Sequence, residues 1–94
     1  MNAKFNKTKL ENGLTVLTES ISGRASVHLG LHLFWGSRNE PKDMAGAAHL
    51  IEHMVFKGTA KRSALDIAME IESVGGEIGA STGKEVTSYT VQCL

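Results

Sequence analysis

The feature that most constrains this chain is a strict alternation over residues 27–35. Val27, Leu29, Leu31, Leu33 and Trp35 interleave with His28, Gly30, His32 and Phe34, and Ser26 leads in. Side chains on a strand point alternately to opposite faces, so a period of two over this length specifies a strand with one apolar face. Trp35, at the end of that face, reads as core. Before this strand, residues 8–10 and 14–18 flank Glu11-Asn12-Gly13. Asn-Gly between apolar runs is a hairpin signal, because both residues tolerate positive φ. Ser22-Gly23-Arg24 reads as a loop.

Residues 36–42 form a polar loop holding the only proline, Pro41. Asp43 is placed to cap a helix over residues 44–57, with Gly58 just past its C-terminus. Ser63 starts a second helix, and Asp66 three residues on completes a variant of the capping box. Leu65, Ile67, Ala68, Ile71 and Val74 form its apolar stripe, and Gly75-Gly76 stop it. Residues 77–82 read as a short strand, Gly83-Lys84 as a turn and residues 85–94 as a last strand. The order β-β-β-α-α-β-β specifies an α+β fold, a largely antiparallel sheet with two helices on one face. Ending at Gln92-Cys93-Leu94 inside a strand leaves a bare edge, so the expectation is an incomplete domain.

Charge narrows the function classes. The chain of 94 residues carries 10 basic and 10 acidic residues. Zero net charge removes the basis for nucleic-acid binding, which needs an excess of Lys and Arg on one face. No segment approaches the roughly 18 apolar residues of a membrane span. Lys4 and Lys7 have no apolar stretch behind them, so no signal peptide is read. The single cysteine, Cys93, excludes a disulfide within the chain and reads as a small strand residue. A reducing compartment, the cytoplasm, is the expectation.

His49-Leu50-Ile51-Glu52-His53 carries the chemistry. Residues four apart on a helix are separated by about 40° around its axis, so His49 and His53 share a face. Glu52 falls within the same arc. Two imidazoles one turn apart can reach one zinc ion, and a catalytic site adds a third protein ligand and an open position for water. The glutamate between them is then placed to accept a proton from that water. The plainer alternative is a surface histidine pair with Glu52 as a nearby counter-charge.

His-x-x-Glu-His is the inverted-zincin signature. Together with residues 36–40, 46–59, Ser63-Ala64-Leu65-Asp66, Gly75-Gly76, Ala80-Ser81-Thr82 and residues 85–89, it resembles the pitrilysin/insulinase family of metallopeptidases, closest to its processing-peptidase branch. Residues 10–16 resemble that family's opening hairpin. The resemblance implies that His49 and His53 bind Zn²⁺ and that Glu52 is the catalytic base. It further implies that Phe56 lies near a substrate side-chain pocket, and that Gly79, Ala80 and Ser81 form an edge strand binding substrate in extended form. Strand addition at a bare edge is the physical basis of that last role. The implied function is a zinc metalloendopeptidase acting on peptides or proteins, with residues 1–94 as the N-terminal part of its catalytic domain. The family works as two lobes, so a second homologous lobe or subunit is implied.

Two departures stand out. The family's third zinc ligand is a glutamate further downstream than this sequence reaches, and Glu70, Glu72, Glu77 and Glu85 do not match it. Gly79 also stands where many members have Asn. A zinc site short of one ligand leaves a second reading open, a non-catalytic peptide-binding or partner-dependent subunit fragment. Other candidates read as structural. His28 and His32 lie about 13 Å apart along a strand, too far to share an ion. Ser81 and Ser88 have no histidine nearby in sequence to activate them.

Overall fold

The structure, a computed structural model, describes residues 2–94. Strands β1 (Ala3–Lys9) and β2 (Thr15–Ile21) pair antiparallel, from Ala3 opposite Ile21 to Lys9 opposite Thr15. The Gly13 N–H donates to the Leu10 carbonyl at 3.0 Å, and Gly13 has a φ of 90°. Asn12 does not share that conformation, since no non-glycine residue described has positive φ. Its side chain closes the turn instead, Oδ1 accepting the Leu14 N–H at 3.0 Å.

Strand β3 (Val27–Leu33) ends two residues short of the alternating run. With β4 (Glu77–Thr82) and β5 (Thr87–Cys93) it forms an antiparallel sheet in the order β3-β5-β4. The single sheet expected from sequence is thus two antiparallel sheets, and the α+β class holds. Register aligns Leu29 with Val91 and Ile78, Leu31 with Tyr89 and Ala80, and Leu33 with Thr87 and Thr82. Period two places these rows on one face.

The first helix, α1, spans Ala47–Met54, shorter than residues 44–57. Gly46 at its start is left-handed, with a φ of 88°, so the helix cannot extend back through it. Asp43 lies instead in a 3-10 turn, Lys42–Met44. Glu40 does the capping: its carboxylate accepts the N–H groups of Gly46 at 3.2 Å and Ala48 at 2.7 Å. The first N–H groups of a helix lack partners within it, and an anion there also meets the positive end of the helix dipole. Helix α2 (Ala64–Glu72) starts as the sequence specifies. The Asp66 N–H donates to Ser63 Oγ at 3.1 Å, and the Ser63 N–H to Asp66 Oδ2 at 2.9 Å.

Both helices pack on the β4 side of the sheet. Between helices and sheet runs an apolar groove of about 490 Å³, lined by Leu31, Leu33, Ile51, Val55, Phe56 and Ile67 among others. The β3 side, furthest from the helices, is left uncovered: Leu29 is 66% exposed and Trp35 49%. Trp35 is therefore not core within these residues. Two helices of eight and nine residues cover only part of the face. Best packed is the crossing where residues 35–38 run beside the β4–β5 turn. There the Ser37 N–H donates to the Gly83 carbonyl at 3.1 Å and the Arg38 N–H to the Lys84 carbonyl at 2.9 Å. Thr87, only 3% exposed, donates its hydroxyl to the Trp35 carbonyl at 2.8 Å, and Arg38 pairs with Glu85.

Candidate metal centre

One turn of α1 brings His49 and His53 together. Their Nε2 atoms are 3.0 Å apart, and the rings meet edge-on with centroids 4.6 Å apart and planes at 76°. Two ring nitrogens this close are stable only if one carries a proton between them or a cation replaces it. Nitrogens held about 2.0–2.1 Å from a tetrahedral zinc ion lie roughly 3.3 Å apart. The pair therefore fits one ion with little movement. A Glu52 carboxylate oxygen completes the group, and the three ligand atoms lie within 4.8 Å of one another. Both imidazoles are exposed, while Glu52 is half-buried. Among the described residues no other His, Cys, Asp or Glu joins the cluster.

The Glu52 side chain does not hang free. Its Oε2 accepts a hydrogen bond from the hydroxyl of Thr82, the last residue of β4. Sequence reasoning missed this contact, since nothing in a spacing of 30 residues joins a helix to a strand end. It missed Glu40 for a related reason: Asp43 is nearer the helix, and only the intervening 3-10 turn swings it out of capping position.

Gly79, Ala80 and Ser81 lie in β4, which pairs with β5 on one side and with no other strand among the described residues on the other. Thr82, the next residue, touches Glu52, so this open edge leads into the histidine cluster. Phe56 lies just past α1, half-buried in the apolar groove with Val55, Ile67 and Ile78. Ser88 does have a histidine beside it, because β3 and β5 pair His32 with Ser88 and bring His32 Nδ1 within 2.9 Å of Ser88 Oγ. No carboxylate hydrogen-bonds that histidine among the described residues, so the pair lacks the orienting third member of a triad.

A family model for the insulinase family of peptidases, M16, matches residues 15–94. The chain belongs to the insulinase family. An uncharacterised zinc protease of Streptomyces coelicolor is 46% identical over 88 residues, covering 94% of this chain and 19% of that protein. The beta subunit of the mitochondrial-processing peptidase of Bos taurus is 50% identical over 82 residues, covering 87% of this chain and 16% of that one. Among solved structures, a protease from Helicobacter pylori superposes with a TM-score of 0.83 at 30% identity, covering 96% of this chain and 22% of its own. The chain thus spans about a fifth of the length of these insulinase-family relatives. No helix among the described residues is long and apolar enough to cross a membrane.

Proposed function

We propose that this chain supplies the metal-binding and proton-transfer half of a zinc metalloendopeptidase active site. The observation that carries the reading is the cluster of His49, Glu52 and His53, in which one imidazole nitrogen of each histidine and a Glu52 carboxylate oxygen lie within 4.8 Å of one another. His49 and His53 hold the ion, and a third ligand, a glutamate, comes from outside these residues. Zinc bound there supplies a Lewis acid that lowers the pKa of water toward about 7 and polarises a carbonyl. Glu52 accepts the proton of the attacking water and returns it to the leaving amine. Gly79, Ala80 and Ser81 pair an extended peptide through their backbone groups. Gly79 offers the peptide no side-chain hydrogen bond. Phe56 contributes to the apolar wall met by a substrate side chain. A second lobe or subunit completes the site, and the compartment is the cytoplasm.

The exposed apolar rows on β3 favour a second reading, a non-catalytic piece that works only against a partner. Replacing Glu52 by Gln in the full-length protein separates the two. Under the peptidase reading, cleavage of an unstructured peptide disappears while elemental analysis still finds one zinc per chain. Cleavage that survives Glu52→Gln removes Glu52 from the mechanism. Peptide binding without hydrolysis by the unaltered protein puts the second reading first.

A further inference from the structure

We propose that Thr82 is a positioning residue for Glu52, an inference that rests on the peptidase reading above. The hydrogen bond from Thr82 to Glu52 Oε2 is the one side-chain bond between α1 and the sheet among the described residues. Glu52 has three side-chain torsions, and ordering such a side chain costs entropy. No other described group hydrogen-bonds its carboxylate. Thr82 is suited to hold it. A β-branched side chain in a strand is stiff at χ1. Its backbone is also fixed by the best-packed part of the sheet. Thr82 sits opposite Thr87 in the register, and Thr87 is buried and bonded to the Trp35 carbonyl. The hydroxyl is thus placed from the end of β4, beside buried Thr87, and not from the exposed helix surface.

Two consequences follow. With Oε2 held, Oε1 is the oxygen left to accept a proton from water. The carboxylate also becomes registered to β4, the strand whose Gly79-Ala80-Ser81 edge takes the peptide. One strand then fixes both the scissile bond and the base. Positioning of this kind lowers the barrier only while the geometry is kept, and small misplacements are costly.

The test compares Thr82→Val with Thr82→Ser in the full-length zinc-loaded enzyme. Valine keeps the shape and removes the donor, while serine keeps the donor. For Thr82→Val, kcat falls about ten- to a hundredfold, the loss expected for one hydrogen bond to a charged group. KM stays within about twofold and zinc remains at one per chain. Thr82→Ser keeps kcat within about threefold. A crystal structure of metal-free Thr82→Val shows the Glu52 carboxylate displaced or spread over several rotamers. An unchanged kcat, an unmoved Glu52, or an equal loss in both variants overturns the proposal. An unaltered full-length protein that binds peptide without cleaving it would remove the peptidase reading instead, and the position of Glu52 in the Thr82→Val crystal would still decide whether Thr82 holds it.

Discussion

Adding one methyl group at Gly36 should loosen the loop that leads to α1. Gly36 is extended, with a φ of −148°, so alanine meets no backbone strain of its own there. The obstacle is contact. A Cβ on Gly36 would lie 2.4 Å from the Gly83 oxygen, 2.5 Å from the Lys84 carbonyl carbon and 2.6 Å from the Glu85 nitrogen. Non-bonded carbon contacts are comfortable near 3.5–4.0 Å, so the two segments must separate by roughly 1 Å. All three obstacles are backbone atoms and cannot swing aside. Separation stretches the bonds from Ser37 and Arg38 to the turn, worth about 1 kcal/mol each. Overpacking adds about 1–3 kcal/mol. A local loss of about 3–5 kcal/mol follows, or roughly a hundred- to several-thousandfold in an opening equilibrium. Hydrogen exchange read by mass spectrometry on the full-length protein localises it, with faster exchange in residues 36–40 and 83–86. Exchange in those segments within about twofold of the unaltered protein would refute the steric argument.

Further expectations concern the helix ends. Glu40→Ala leaves the N–H groups of Gly46 and Ala48 without their carboxylate. It should cost about 1–2 kcal/mol and weaken zinc binding, because Ala48 directly precedes His49. A zinc titration with affinity unchanged within twofold would show that the cap does not matter to the site. At α2, the Asp66 carboxyl is held below its ordinary value by the backbone N–H of Ser63, then by the Ser63 hydroxyl, with Arg62 adding a smaller pull. A depressed folded pKa gives stability that is full above the unfolded value of about 3.9 and is lost as pH falls through the lower folded value. Asp66→Asn should therefore flatten the acid limb of a stability-versus-pH profile below that value, and an unchanged limb would show that the pair does not contribute. Ser63→Ala should cost about 0.5–2 kcal/mol at neutral pH, measured by thermal unfolding.

Local signals carried much of this molecule. Alternation marked β3, Asn-Gly marked the hairpin, Ser63 with Asp66 marked the start of α2, and the histidine spacing placed two imidazoles and a carboxylate on one face of α1. Each depends on residues within a few positions of one another, where backbone periodicity alone fixes geometry. The start of α1 was misread because capping by Glu40 requires the chain to fold back over a 3-10 turn and a left-handed Gly46. Trp35 was misread because burial depends on which strand the helices cover, and they cover β4. The contacts of Thr82 with Glu52, of His32 with Ser88 and of Gly36 with the β4–β5 turn join residues 30 to 56 positions apart or cross between elements. Their partners are chosen by strand order and register, which arise when non-local surfaces pack. The sequence by itself determined which side chains share one face of α1; the tertiary structure decided what holds that helix, and which strand runs up to its glutamate.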